Sequence, residues 1–215
     1  MPLSIKHETI LRADTTMLSP FDILGLIAFS FSGAVKGISR RLDLFGITVL
    51  GILTALGGGV VRDLLVIRIP LMLTAGNYVL CALLGILLAL LARRRGEQVV
   101  NDRIFLVSDA VGLASFTAGG CTVAAGYGLG IVGIVVMGLS TAVGGGVLRD
   151  LLCGEVPLIL RSEFYASCAL AGSIIFWALL TATGNQPLAA VMCAIVVFVM
   201  RLLAIRHRWS LPTFS

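Results

Sequence analysis

The sequence has little charge. Only 13% of its 215 residues are Asp, Glu, Lys or Arg, while 58% are hydrophobic, and a soluble domain carries about 25% charged residues. A chain with so little polar surface cannot cover a core of this size in water. The composition therefore excludes an ordinary soluble domain and favours the lipid bilayer as solvent. The net charge of +5 then indicates no nucleic-acid partner, and we expect none.

Metal-binding and catalytic side chains are also scarce. The two histidines lie alone in polar tails, and the five cysteines are odd in number, form no Cys-x-x-Cys and lie in or beside apolar runs. That pattern excludes a disulfide framework or a zinc site and is typical of small buried residues. No Ser/His, Cys/His or His-Glu-x-x-His set lies in the apolar runs, so we expect no cofactor, no metal and no enzyme.

Seven continuous apolar runs fill the chain. Each has about 17–24 residues, the length at which a helix crosses a hydrocarbon core of ~30 Å. The runs do not alternate between apolar and polar residues, which excludes a β-barrel. The runs cover 22–38, 45–67, 71–92, 104–125, 130–153, 164–183 and 188–205.

One motif occurs twice. Gly-Gly-Gly-Val-Val-Arg-Asp at 57–63 returns as Gly-Gly-Gly-Val-Leu-Arg-Asp at 144–150, an offset of 87 residues. The same offset relates other residues of the flanking runs, so runs 1–3 repeat as runs 4–6 and run 7 is extra. Three spans are an odd number, so the second copy must enter the membrane upside down. The sequence predicts an all-α integral membrane protein with seven transmembrane helices, built as an inverted 3+3 repeat plus one C-terminal helix.

The basic residues predict the orientation of this architecture. With the N-terminus outside, eleven of the sixteen Lys and Arg residues fall in inner segments, three in outer segments and two within the membrane, as the positive-inside rule requires. The first residues lack the pattern of a signal peptide and are interpreted as a tail. The predicted segments are an outer tail (1–20), the first repeat (21–95), a cytoplasmic link (96–103), the second repeat (104–183), the seventh helix (184–206) and a cytoplasmic tail (207–215).

The glycine triplets fall near the middle of predicted helices 2 and 5. Each glycine costs a helix roughly 1 kcal/mol against alanine, and it lets the helix bend or lets another backbone approach. A bend would free carbonyl oxygens at the bilayer midplane, where they can coordinate a dehydrated monovalent cation. A tight small-residue helix crossing is the alternative, but the symmetric recurrence favours an ion-handling centre. The residues are Gly57, Gly58, Gly59, Gly144, Gly145 and Gly146.

Two arginines lie inside the apolar runs. Arg62 and Arg149 each cost several kcal/mol if they face lipid, so they must face the protein interior or a polar end. The directions of the predicted helices bring one aspartate to the depth of each arginine, and the aspartate next to each arginine in the sequence is the alternative partner. Such ion pairs either have a structural role, fixing the helices in place, or place charged groups on both sides of the narrow centre of an ion pathway. The two roles are compatible. The predicted partners are Asp22 and Asp109, and the alternatives are Asp63 and Asp150.

Lys36 lies at the inner end of predicted helix 1 and has no counterpart in the second repeat, where Val123 takes its place. A lone lysine at a helix end usually extends its ammonium group towards the membrane surface. Otherwise it faces the ion pathway or an anionic lipid head group. We include Lys36 among the candidate pathway residues.

The doubled Gly-Gly-Gly-x-x-Arg-Asp motif in helices 2 and 5 of a 3+3+1 protein resembles the trimeric intracellular cation (TRIC) channel family, in its prokaryotic branch. The resemblance covers roughly residues 20–205. It implies a homotrimer in a prokaryotic plasma membrane, a pore for K⁺ and Na⁺ in each protomer, kinks at the triplets, and bound lipid near the pores. Related bacterial proteins are also described as glycine transporters, so a secondary transporter of a small solute stays an alternative, as does a purely structural trimer.

Overall fold

The computed structural model describes residues 18–94, 102–161, 164–207 and 209. All regular structure in these residues is helical, and seven helices are long and apolar enough to cross a membrane, with mean hydropathy of 1.5 to 2.7. The predicted tails and most of the predicted link lie outside the described residues. The helices are α1 (Pro20–Ser39), α2 (Leu44–Leu65), α3 (Leu71–Thr74), α4 (Asn77–Arg94), α5 (Asp102–Gly126), α6 (Ile131–Leu152), α7 (Leu158–Arg161), α8 (Ala166–Thr183) and α9 (Gln186–His207).

The seven long helices match the seven predicted spans, but the third run is divided. Its first residues form the separate short helix α3, and the membrane-length helix α4 begins only at Asn77. A short helix, α7, stands at the corresponding place in the second repeat. The residues of α3 lie inside the third apolar run, so hydropathy alone could not separate α3 from α4.

The helix ends follow local sequence signals. Ser19 and Asp22 form a capping box at the start of α1, in which each side chain accepts a hydrogen bond from the backbone N–H of the other, with Pro20 in the first turn. The Asp43 side chain accepts a hydrogen bond from Gly46 N at 2.7 Å and starts α2. These caps fix where α1 and α2 begin, and so they fix the depth of the charged residues on both helices.

Helices α1 and α5 pack against each other at the centre of the bundle, each beside the second helix of its own repeat, and α2 packs against α6. The third helices differ. Helix α4 packs closely on α1, whereas α8 contacts α5 much less, and α9 packs on both α5 and α8. The extra helix therefore occupies, beside α5, the place that α4 occupies beside α1.

A reciprocal aromatic contact joins the two repeats. The Phe29 and Phe116 rings meet edge to face with centroids 5.2 Å apart. Phe29 also fills the space beside Gly112, and Phe116 fills the space beside Gly25. Residues 29 and 25 correspond to 116 and 112 at the offset of 87, so each repeat supplies one ring and one glycine to the other. Large apolar side chains cover much of the outside of the bundle, as a lipid-facing surface requires.

Candidate functional site

The first two glycines of each triplet form the crossing between α2 and α6. A Cβ atom added to Gly58 would collide with the carbonyl oxygen of Thr141, and one added to Gly145 would collide with that of Thr54. Both helices remain helical through all three glycines. The structure therefore shows the close small-residue crossing that was the alternative to a break in the helices, and a kink stays a prediction.

The third glycine of each triplet faces a different environment. A Cβ atom added to Gly59 would have Arg62 Nη2 as its nearest neighbour, at 3.9 Å. One added to Gly146 would lie 3.2 Å from the Tyr165 hydroxyl and 3.6 Å from Arg149 Nη2. The triplet thus divides into two residues that hold the helices together and one that opens onto an arginine.

We call the charged group in the first repeat the first cluster; its members are Asp22, Arg62, Asp63, Arg68 and Tyr78. Arg62 Nη1 lies 3.1 Å from Asp22 Oδ1, and Arg62 Nε lies 2.9 Å from Asp63 Oδ1. Arg68 Nη2 donates to the same oxygen of Asp63 at 2.6 Å. The Arg62 side chain is 2% exposed, so both the predicted partner and the alternative hold it inside the protein.

The second cluster lies in the second repeat and consists of Asp109, Arg149, Asp150 and Tyr165. Arg149 Nη1 lies 2.5 Å from Asp109 Oδ1, and Arg149 Nε lies 2.8 Å from Asp150 Oδ1. The guanidinium also lies 4.6 Å from the centre of the Phe105 ring. The side chains of Asp109 and Arg149 are both fully buried, so this cluster is more enclosed than the first.

The two clusters lie about three helical turns apart along α1. Asp22 contacts Arg62 in the last turn of α2, and Ser32 Oγ accepts from Arg149 in the last turn of α6 at 3.2 Å. Ten helical residues separate Asp22 from Ser32, which is ~15 Å along the helix axis. The C-terminal ends of α2 and α6 therefore point in opposite directions, the arrangement that an inverted repeat requires.

The motif aspartates have a second role that sequence reasoning missed. Asp63 Oδ2 accepts a hydrogen bond from Leu71 N at 2.9 Å, and Asp150 Oδ2 accepts one from Leu158 N at 2.8 Å. Each carboxylate thus joins an arginine to the start of the following short helix, α3 or α7. The sequence does contain a signal for these short helices. A proline lies seven residues after each aspartate, and proline is common where a helix begins.

Lys36 pairs with Glu155, a partner that the sequence did not predict. Its ammonium lies 2.7 Å from the carboxylate, and Arg40 binds the same group. Burial alone raises the pKa of Glu155, but the hydrogen bonds from Arg40 and Lys36 outweigh it and lower that pKa to about 2. We call these three residues the latch, because they join the end of α1 in the first repeat to the α6–α7 connection in the second.

The first cluster adjoins a small cavity. Its volume is about 10 Å³, which is room for about one water molecule, and its polar lining includes Asp22, Arg62 and Tyr78. Among the described residues, the buried polar atoms without a hydrogen-bond partner include the Tyr78 hydroxyl in the first cluster and Asp109 Oδ2, Arg149 Nη2 and the Tyr165 hydroxyl in the second. Buried polar groups of this kind normally bind water or an ion, so both clusters have atoms suited to a hydrated path.

The family model described as glycine transporter matches the chain twice, over residues 20–94 and 106–181, one match in each repeat. A UPF0126 membrane protein of Deinococcus radiodurans is 43% identical over 179 residues, which cover 80% of this chain and 82% of that relative. The UPF0126 inner membrane protein YadS of Escherichia coli K12 is 37% identical over 198 residues, 90% of this chain and 94% of its own.

Solved structures of TRIC channels are also similar to this chain. A prokaryotic TRIC channel in 0.5 M KCl superposes with a TM-score of 0.81 at 31% identity, covering 89% of this chain and 96% of that one. The TRIC channel orthologue from Rhodobacter sphaeroides gives 0.80 at 34% identity, with 88% and 97% covered. A TRIC channel from C. elegans, at 17% identity and a TM-score of 0.61, shares the fold.

The helices, the doubled charged motif and these comparisons define an integral membrane protein of the TRIC channel class, and the predicted resemblance to its prokaryotic branch is confirmed. The chain belongs to the family described as glycine transporter, which matches both of its halves. Its similar proteins with solved structures are cation channels, and its curated relatives are membrane proteins of bacteria.

Proposed function

We propose that this protein is a channel for monovalent cations, K⁺ and Na⁺, with one path through each protomer of a homotrimer. One observation carries the proposal. Two buried arginine–carboxylate clusters stand at opposite ends of the α2–α6 crossing, in a chain that is 31–35% identical to solved cation channels over 88–91% of its length. Charged groups inside a membrane protein mark ion pathways, and α1 contacts both of these clusters.

The proposed path runs beside the crossing, because Gly58 and Gly145 leave no space between the helices themselves. It passes the third glycines, Gly59 and Gly146, and the polar atoms that face them. Each motif arginine is shared by two carboxylates, so movement of the arginine away from one of them leaves an acceptor for a passing cation. Such weak, repeated sites suit conduction, in which an ion must leave as readily as it enters.

A glycine transporter is the second candidate, and the description of the matching family favours it. A transporter needs a solute site near the midplane that is open to alternate sides. The cavity beside the first cluster, at about 10 Å³, holds about one water molecule and is too small for an amino acid. The geometry therefore supports the channel better.

We further propose that the latch end of α1 faces the cytoplasm, with the N-terminus outside, in a prokaryotic plasma membrane. The latch residues Lys36 and Arg40 and the end of α4, with Arg93 and Arg94, add positive charge that favours the inner side. A reporter that is active only in the cytoplasm, fused after Ser215, should be active. A silent fusion in a well-expressed protein would reverse the orientation.

Single-channel recording of the purified protein in planar bilayers tests the function. We expect unitary K⁺ and Na⁺ currents, and crosslinking in mild detergent should give three copies. Saturable glycine uptake without unitary current would replace the channel by the transporter. If the trimers show neither current nor uptake, the protein has a purely structural role instead.

The path past the third glycines has its own test. The Gly146→Ala substitution places a methyl group 3.2 Å from the Tyr165 hydroxyl without meeting backbone, so the trimer should fold and its unitary conductance should fall. Gly126→Ala is the control, because nothing lies within 4 Å of its added Cβ atom. Equal currents in wild type and Gly146→Ala would exclude this route.

A further inference from the structure

Each cluster contains a buried tyrosine that takes no part in its ion pairs. Tyr78 and Tyr165 are related by the offset of 87 residues and lie at the starts of α4 and α8. They are 6% and 1% exposed, and among the described residues neither hydroxyl has a hydrogen-bond partner. A buried hydroxyl without a partner costs free energy, and here the cost is present at two equivalent positions. The pair therefore needs an explanation that packing does not supply.

Nearly all the other side-chain oxygens of the two clusters already have partners. Asp22 accepts a hydrogen bond from Arg62 with one carboxylate oxygen and from Ser19 with the other. Each motif aspartate binds an arginine with Oδ1 and the first N–H group of the following short helix with Oδ2. Of the described carboxylate oxygens in the two clusters, only Asp109 Oδ2 has no partner. Before any arginine moves, the tyrosine hydroxyls are therefore the oxygens that both clusters have available.

Both tyrosines lie beside the proposed path. Tyr78 lines the water-sized cavity of the first cluster together with Gly59. In the second cluster, the Tyr165 hydroxyl lies 3.2 Å from the point at which a Cβ atom of Gly146 would stand. Each tyrosine thus accompanies the third glycine of a triplet, and the missing side chain of that glycine leaves the tyrosine uncovered on the side of the path.

We propose that the Tyr78 and Tyr165 hydroxyls replace part of the hydration shell of a K⁺ or Na⁺ ion as it passes each cluster. The inference rests on the proposed channel function and assigns the two tyrosines as residues that determine the ion specificity of that path. A hydroxyl oxygen is neutral, so it can bind a partly dehydrated cation and still release it. The arginine in each cluster is held by two carboxylates, so its charge is compensated where the cation passes.

Substitution by phenylalanine removes the hydroxyl oxygen alone. In single-channel recording, Tyr78→Phe and Tyr165→Phe should each lower the unitary K⁺ current by roughly tenfold, the factor for losing one hydrogen-bond-strength contact to a charged group. With KCl on one side of the bilayer and NaCl on the other, the reversal potential should shift to favour K⁺. Na⁺ holds its hydration water more tightly, so it loses more when a replacement ligand is missing. A role in packing alone would not change the preference between the two ions.

Tyr127→Phe is the matched control. Tyr127 is the third tyrosine of the chain and lies in the α5–α6 connection, outside both clusters, so its variant should keep the wild-type current and reversal potential. Because the hydroxyls of the other two have no partner to lose, Tyr78→Phe and Tyr165→Phe should melt at the wild-type temperature or above it. Tyr165→Phe also keeps the ring whose centre lies 4.9 Å from the Arg201 guanidinium.

Cation binding has a readout that needs no current. A ligand that binds only the folded protein stabilises it, so the wild type should melt at a higher temperature in about 0.5 M KCl than in the same concentration of choline chloride. The double variant, Tyr78→Phe with Tyr165→Phe, should lose this difference, because both ligands are gone. Tyr127→Phe should keep it.

Several outcomes would overturn the proposal. Phenylalanine variants with wild-type current and reversal potential, or stabilisation by K⁺ that survives in the double variant, would show that the hydroxyls do not bind the cation. Loss of assembly, or a lower melting temperature in choline chloride, would mean that the hydroxyls serve folding instead. A wild type without unitary current would refute the channel, and the stabilisation by K⁺ would still decide whether the two tyrosines bind the cation.

Discussion

The two clusters share their centre and differ in their surroundings. In both, an arginine is held by two carboxylates, and the second oxygen of the motif aspartate caps the next short helix. The first cluster adds Arg68, which is 17% exposed, and a water-sized cavity. The second is sealed, with Asp109 and Arg149 fully buried and the latch beside it. The residues that repeat thus form the arginine–carboxylate pairs in both clusters. The residues that do not repeat determine how exposed each cluster is.

That difference in exposure predicts which cluster limits conduction. The Asp22 and Arg68 side chains at the edge of the first cluster are partly exposed, whereas a cation that passes the second cluster must break a fully buried pair. We therefore expect the second cluster to be the larger barrier to conduction. Changes at the α2–α6 crossing should affect the stability of both ends equally, and changes within one cluster or in the latch should affect one end.

The largest effect should come from the shared crossing. Gly58→Val and Gly145→Val each drive a side chain into a carbonyl oxygen of the opposite helix, where neither backbone can give way. We expect a loss of about 3 kcal/mol in each case, the upper end of the usual range for overpacking, and less assembled trimer by size-exclusion chromatography. Because the contact is reciprocal, the two variants should be equally damaged. A folded Gly145→Val trimer would show that the crossing is looser than the structure indicates.

The next effect should distinguish the two ends. Asp109→Asn removes one of the two carboxylates that hold the fully buried Arg149 and leaves it with Asp150, so it should cost about 3 kcal/mol of stability, the lower end of the range for breaking a buried ion pair. Asp22→Asn should cost less, because the Asp22 side chain is 10% exposed and water can replace part of the interaction. Thermal unfolding in detergent measures both, and double-mutant cycles with Arg149→Gln and Arg62→Gln give the coupling in each pair. Equal coupling energies would remove the proposed difference between the ends.

The smallest effect belongs to the latch, and it depends on pH. The pKa of Glu155 in the folded protein is about 2, below its usual value of 4.5. Its contribution is therefore fully present above pH 4.5 and is lost as the pH falls from 4.5 towards 2. Because the pair is partly accessible to water, we expect less than about 1 kcal/mol.

Comparison with Glu155→Gln isolates this contribution. The wild type should be more stable than the variant at pH 6, and the difference in melting temperature should shrink as the pH falls below 4.5. Asp43→Asn is a matched control, because Asp43 caps α2 on the surface and takes no part in the latch. A constant difference between wild type and Glu155→Gln across this pH range would mean that the latch does not form.

Much of the architecture could be predicted because it depends on length and repetition. Run lengths predicted the seven spans. The directions of the predicted helices placed Asp22 with Arg62, and the offset of 87 residues carried the same pairing to Asp109 and Arg149. The division of each triplet could not be predicted, because it depends on which side of a helix each glycine faces, and an all-apolar helix gives little sign of that. Whether these residues line an ion path stays a prediction.

The latch was missed because it lies where the repeat fails: Glu155 stands at the position that an arginine, Arg68, occupies in the first repeat. An internal repeat predicts a contact in one half only where the other half has corresponding residues. The sequence offers the membrane surface, the pathway or a lipid as surroundings for Lys36, but it does not indicate Glu155, because the two residues are 119 positions apart and no pattern relates them.

The reciprocal contact between Phe29 and Phe116 has a consequence for assembly. Each three-helix half offers one ring and one glycine notch, and each receives the same from the other half. The surface between the halves is therefore self-complementary, like the isologous interface of a twofold dimer. A single half that entered the membrane in both directions would contain every residue of the central contact. A pair of identical halves would lack α9 and could not have Arg68 in one half and Glu155 in the other, so the fused chain gains its asymmetry from its last helix and from the positions that do not repeat.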